Sequence, residues 1–227
     1  MGYDSTTILN KVKDALLKVK NGEAVYERDS VIFDEIEYSW PLLAGLMWIT
    51  AQNEGRLSVL DFGGSLGSTY FQNRTFFKNL KRVEWNIVEQ DNFVKAGKEN
   101  FQSEELKFFN SIEELMSVSR IHIALLSSVL PYIRSPYELI QKIMDLKIDF
   151  IIFDRMPMLE GDQDRITVQK VLPEIYVASY PSWFFSEPKF LEFMGREYKL
   201  IEQFKCVDKA NVDSVFKGYI FKIGNEK

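Results

Sequence analysis

The chain carries one cysteine and one histidine among its 227 residues. A single thiol builds neither a disulfide framework nor a cysteine metal cluster, and a single imidazole excludes a histidine-rich metal site. No metal is therefore expected. Positive charge is also in short supply. Against 33 Asp and Glu stand 28 Lys and Arg, a formal net charge of −5, and no block of Lys and Arg alternates with aromatics. Such a balance argues against a nucleic-acid partner, because phosphate binding requires a basic face. Long apolar runs are missing too. The longest worth testing, Trp40 to Ala51, falls short of the ~20 residues that cross a bilayer, so no membrane span is expected. The N-terminus is polar and of mixed charge, unlike a signal peptide, which makes the cytoplasm the default location.

What remains is the composition of an ordinary globular chain, 46% hydrophobic and 27% charged, long enough for one sizeable domain with an appendage. Residues 4 to 20 set Ile8, Leu9, Val12, Leu16, Leu17 and Val19 at helical spacing, and Asn21-Gly22 ends that helix. A loop with Tyr26-Glu27-Arg28-Asp29 follows, then a helix from Pro41 to Gln52. From Leu57 strands and helices alternate: strands at Leu57–Phe62, Val83–Glu89, Leu106–Phe109, Ile121–Leu126 and Phe150–Phe153, with helices between them. Alternation of this length implies a parallel sheet covered on both faces. The runs Tyr198–Val207 and Val215–Ile223 lack a helix between them and should pair as an antiparallel hairpin. The expected fold is α/β and Rossmann-like: a seven-stranded, mostly parallel sheet with a C-terminal antiparallel hairpin. Residues 1–52 form a helical N-terminal extension, a possible cover for the site, and 53–227 the main domain.

The most informative stretch is Val59-Leu60-Asp61-Phe62-Gly63-Gly64-Ser65-Leu66-Gly67-Ser68. A strand ends in a carboxylate, a glycine-rich turn follows, and Thr69 opens a helix. That geometry brings backbone N–H groups and a helix N-terminus to a ligand. In a dinucleotide-binding turn, G-x-G-x-x-G, the acid comes about 20 residues after the glycines. Here it comes two residues before them, in a D-x-G-x-S-x-G pattern closer to the first motif of S-adenosylmethionine-dependent methyltransferases.

Open α/β sheets bind ligands beyond the carboxyl ends of their strands. Those ends carry Asp61, Glu89, Asn110, Ser127 and Asp154, each placed to face one crevice. Glu89, with Gln90 beside it, could accept hydrogen bonds from ribose hydroxyls. Asn110 and Ser111 could meet an adenine edge, or simply cap a helix. Ser127 and Ser128 would line the floor near a methionine moiety. Asp154 could act as a general base toward a hydroxyl acceptor, and Arg155 could clamp a phosphate or carboxylate. The aromatic segment 175–185, which includes Tyr180, could wall an acceptor site or be buried packing. The position of His122, at the start of a strand, points to a structural role, and Cys206 reads as a packing residue.

Arg28-Asp29-Ser30, LDFGGSLGS at 60–68, WNIVEQ at 85–90, LLSSVLPYI at 125–133, SPYELI at 135–140, IIFDRMP at 151–157 and YVASYPSW at 176–183 together resemble class I S-adenosylmethionine-dependent methyltransferases associated with bacterial surface-polysaccharide (lipopolysaccharide or capsule) gene clusters. The resemblance implies S-adenosylmethionine as cofactor and methyl transfer to a small-molecule, sugar or nucleotide-sugar acceptor. Carried over residue by residue, it supports Asp61, Gly63, Gly64, Ser65, Gly67 and Glu89 as cofactor positions. Ser65 stands where the general pattern has its middle glycine. Two other classes stay open on the residues: another Rossmann-type enzyme, such as a nicotinamide oxidoreductase or sugar epimerase, and a non-catalytic binding module on the same fold.

Overall fold

The computed structural model describes residues 6–171 and 179–224. The chain divides into two compact units, Met1–Arg120 with Lys170–Tyr180, and Ile121–Gln169 with Pro181–Lys227.

In the first unit, α1 (Thr6–Asn21) buries Ile8, Leu9, Val12, Leu16 and Val19, the stripe set by their spacing. The segment expected as a loop is instead an antiparallel hairpin of β1 (Tyr26–Arg28) and β2 (Val31–Phe33). Its two-residue turn puts Asp29 and Ser30 at φ 53° and 70°. That is the left-handed pair that closes a tight hairpin, usually signalled by Asn-Gly or Asp-Gly. With Ser in place of Gly the signal was too weak to read. Helix α2 (Trp40–Gln52) takes Pro41 in its first turn, where a missing N–H costs nothing. Strands β3 (Arg56–Phe62), β4 (Arg82–Val88) and β5 (Leu106–Phe109) then run parallel and in register, alternating with α3 (Ser68–Phe77), α4 (Asp91–Asn100) and α5 (Ile112–Met116). In β4, Trp85 is fully buried and stacks on Phe77 with ring centroids 5.8 Å apart.

The second unit holds β6 (Ile123–Ser127), α6 (Pro136–Asp145), β7 (Phe150–Leu159), β8 (Arg165–Lys170), β9 (Ser179–Ser186), α7 (Glu187–Met194), β10 (Tyr198–Lys205) and β11 (Val215–Ile223). Strands β6 and β7 are parallel, and the end of β7 pairs in parallel with β9. The expected C-terminal hairpin is present: β11 runs antiparallel to β7 and to β10. Its inner face meets α7 in an aromatic cluster, with Phe190 5.0 Å from Phe153, 5.2 Å from Tyr219 and 5.9 Å from Phe221.

Two expectations need correction. Among the described residues nine strands, β3 to β11, enter the ladders of a mostly parallel α/β fold, not seven. The excess is β8 and β9. β7 runs six residues past its expected end at Phe153, and the chain then folds back on itself. In β8 the apolar residues Ile166 and Val168 lie exposed, so no buried run marked the strand. Helix α7 was also unanticipated, although a start signal existed: Ser186 caps Lys189 N–H, Pro188 sits in the first turn, and Phe190 and Met194 are buried one turn apart. Of the aromatic segment 175–185, residues 175–178 lie outside the described residues.

Candidate functional site

The glycine-rich turn joins β3 to α3. Positive φ recurs at every second residue: Gly63 at 70°, Ser65 at 54° and Gly67 at 104°. The left-handed conformation is open to glycine and strained for an L side chain. Ser65 thus adopts a backbone conformation that glycine takes more readily. Gly64 is required for a different reason. A Cβ there would lie 2.4 Å from the Asp61 carboxyl, which is folded beneath the turn. Gly67 occupies the N-cap of α3, so the first N–H groups of that helix have no side-chain cap.

Asp61 is buried at 1% exposure and its Oδ2 accepts the Trp85 indole N–H at 2.8 Å. Burial pushes its carboxyl up to about 7, with the Glu89 charge adding in the same direction and the indole hydrogen bond opposing. Glu89, at the end of β4, reaches back across the turn. Its Oε1 accepts the Ser65 N–H at 3.2 Å and its Oε2 the Gln90 N–H at 2.8 Å. At the end of β5, Asn110 is exposed and its N–H donates to Glu114 Oε2 at 2.8 Å, while Ser111 Oγ accepts the Glu114 N–H at 3.1 Å. The Ser111 hydroxyl is therefore engaged in capping α5.

The N-terminal hairpin docks onto α3, and nothing in the sequence marked this. Glu27, 1% exposed, accepts hydrogen bonds from the Ser68 hydroxyl and from the Ser30 N–H. Gln72 of α3 donates to Tyr26 Oη at 3.2 Å and to the Glu37 carbonyl at 2.7 Å. Burial pushes the Glu27 carboxyl up to about 7.

In the second unit, Ser127 ends β6 with Ser128 just beyond it, and Asp154 and Arg155 lie within β7 at the point where its pairing with β11 shifts register. Asp154 is 3% exposed. Its Oδ2 accepts the Ser127 hydroxyl at 2.9 Å and its Oδ1 the Cys206 thiol at 3.6 Å. Burial raises the Asp154 carboxyl above its ordinary range, against the pull of the Arg155 charge. Arg155 Nε and Nη2 both donate to Asp208 Oδ1, at 3.0 and 2.8 Å. Cys206 is pushed up to about 12 by burial and the Asp154 charge, which favours the neutral thiol that donates to Asp154. Tyr180, which belongs to the first unit, is 8% exposed near the start of β9. His122 pairs with Asp149 at 3.0 Å. Among the described residues no group of three or more His, Cys, Asp or Glu is arranged to hold a metal ion, and no helix is long and apolar enough to cross a membrane.

Backbone strain is present at three of these positions. Seven non-glycine residues of the described chain have positive φ, and Ser65, Ser128 and Arg155 are three of them. Such residues cost of order 1–3 kcal/mol each and gather at functional sites.

No protein family and no curated protein matches the chain. Solved structures do. An S-adenosylmethionine-dependent methyltransferase from Clostridium acetobutylicum ATCC 824 superimposes with a TM-score of 0.55 at 10% identity, covering 83% of this chain and 94% of its own. The N-terminal domain of EvdMO1, determined with S-adenosylhomocysteine and D-fucose, gives 0.52 at 11% identity over 99% and 98%. A pericyclic reaction enzyme gives 0.55 at 14% identity over 82% of this chain, which spans about half, 47%, of that enzyme. At these identities the likeness shows the fold alone: an α/β architecture with a mostly parallel sheet, shared with S-adenosylmethionine-dependent methyltransferases.

Proposed function

We propose that this chain binds S-adenosylmethionine and transfers its methyl group to a small-molecule acceptor. The observation that carries the reading is the turn over Asp61, with three left-handed residues in alternation and Glu89 closed across it. A fold shared with a pericyclic reaction enzyme does not choose the chemistry; the residues must. In this reading Glu89 exchanges the Ser65 N–H for the two ribose hydroxyls, so ligand binding releases the turn. Gly63, Gly64, Ser65 and Gly67 present backbone to the methionine moiety, and Asp61 fixes the turn from below. Gln90, Asn110, Ser111, Ser127 and Ser128 complete the proposed cofactor set, Ser111 through its backbone because its hydroxyl is committed to the helix.

Methyl transfer from a sulfonium requires alignment above all, with a base only where the acceptor is protonated. Asp154 is the proposed base, its raised basicity suited to a hydroxyl or ammonium proton. Arg155, held by Asp208, and Tyr180 are proposed on the acceptor side. The acceptor is proposed as a sugar, nucleotide-sugar or other small molecule of surface-polysaccharide synthesis in the cytoplasm. That proposal rests on the sequence resemblance and on a neighbour determined with D-fucose.

Calorimetric titration with S-adenosylhomocysteine tests the reading. The parent chain should bind it, and Glu89→Ala should weaken binding about tenfold or more, the loss of two ribose hydrogen bonds to a charged acceptor. Binding of NAD with no response to S-adenosylhomocysteine would sink the proposal.

A further inference from the structure

The second unit contains an open concavity of about 440 Å³ lined by Pro136, Tyr137, Asp162, Gln163, Asp164, Trp183 and Lys189. Apart from Trp183, which belongs to the aromatic segment 175–185, none of these residues figures in the proposed methyl-transfer chemistry. Two aromatic walls are held in place by hydrogen bonds and ring contacts. The Trp183 indole N–H donates to the Ile133 carbonyl at 3.1 Å. Tyr137 donates its hydroxyl to Asp164 Oδ1 at 3.2 Å and sets its ring edge-on to Phe193 at 5.0 Å and Phe185 at 6.3 Å. Asp164 is further fixed by the Ser186 N–H, which donates to the same Oδ1 at 2.8 Å.

The chain itself shows what this arrangement attracts. The Lys189 ammonium lies 4.7 Å from the centre of the Tyr137 ring and is bonded to Asp164 Oδ2. A π-face with a carboxylate beside it is the general recognition chemistry for an organic cation. The Asp164 side chain is 8% exposed while that of Lys189 is 51% exposed, so the anion is built in and the cation sits at the surface on a flexible stem. Asp162 adds a second carboxylate at the rim, leaving two aspartates against one lysine. A phosphate or carboxylate would meet uncompensated negative charge here.

We propose that this concavity is a binding site for an amine-bearing ligand, whose ammonium group displaces that of Lys189 from Tyr137 and Asp164 while its carbon body lies against Trp183. Lys189 is then an internal competitor that keeps the carboxylate satisfied when the site is empty.

The test is read without any methyl donor, so its outcome is independent of cofactor binding. The indole N–H resonance of Trp183, assigned with Trp183→Phe, is followed on titration with glucosamine, glucose and glucose 6-phosphate. Glucosamine should shift it, and the other two, which differ by the ammonium group or add an anion, should not. Lys189→Ala removes the competitor and should tighten glucosamine binding roughly two- to fivefold, the fold-change of an exposed cation–π contact. Asp164→Asn should abolish the response in a protein whose amide spectrum is otherwise unchanged. Because Lys189→Ala is a gain, it keeps the test decisive if Asp164→Asn does not fold. An equal response to glucose, a response to glucose 6-phosphate, or glucosamine binding that is unchanged or weaker in Lys189→Ala would overturn the proposal.

Discussion

Gly64 and Ser65 are neighbours in one turn, and the physical chemistry of each predicts an opposite response to substitution. A methyl group at 64 has to displace the Asp61 carboxyl, whose place is fixed by the Trp85 indole. Gly64→Ala should therefore cost 1–3 kcal/mol of stability, roughly the range for overpacking a tight site. Ser65 is already strained at φ 54°. Ser65→Gly removes about 1–2 kcal/mol of strain and returns part of it as unfolded-chain entropy, so stability should hold or rise by up to about 1 kcal/mol. Urea midpoints for the two variants check both signs. Equal losses would mean that the turn is held by its side chains and not by its backbone path. At this scale Asp61, the glycines and Glu89 were legible, because a strand–turn–helix is local in sequence. Trp85 and Ser68 were not, because their importance lies in partners 24 and 41 residues away.

Among the elements, the N-terminal hairpin raises a distinct question, since it buries a carboxyl against the first turn of α3. The Glu27 carboxyl is raised from 4.5 to about 7 by burial. The folded state thus holds this proton more tightly than the unfolded chain does. The stability that Glu27 contributes is complete below about pH 4.5 and is lost as pH rises through about 7. Glu27→Gln keeps an acceptor for Ser68 and Ser30 and carries no charge. Its stability should match the parent at pH 5 and exceed it at pH 8, by an amount on the order of 1 kcal/mol or more. Urea unfolding at the two pH values measures it, and a loss at pH 8 would show that the ionised carboxylate is the favoured form. Strand and helix periods were readable for most elements that bury a face; α7 and β9, which bury Phe190, Met194 and Phe185, are exceptions. The hairpin and β8 escaped because β2 and β8 present their apolar residues to solvent, and the two-residue turn of the hairpin, Asp29-Ser30, lacks glycine.

For the whole molecule, a ligand that binds only the folded chain raises its stability by mass action. At a hundred times its Kd, S-adenosylhomocysteine should add about 2.7 kcal/mol. For a chain of this size that is a rise in Tm of roughly 5–10 °C. NAD at the same concentration should leave Tm unchanged. Differential scanning fluorimetry measures both, and silence toward both ligands would favour a binding module without either cofactor.

By itself the sequence determined the α/β alternation, the terminal antiparallel hairpin, the acid-before-glycine turn and the acid at the end of the next strand. All of these follow from side-chain period and turn chemistry within a few residues. Only the tertiary structure decided that Asp61 is tied to an indole, that Glu27 is buried against Ser68, that Arg155 is held by Asp208, and that Lys189 lies over the Tyr137 ring against Asp164. Those facts depend on desolvation and on contacts between distant segments, and neither exists until the chain is folded. For the turn on which the functional reading rests, the sequence placed the glycines and the acid. The structure supplied the strain at Ser65 and the closure by Glu89 that a ligand would release.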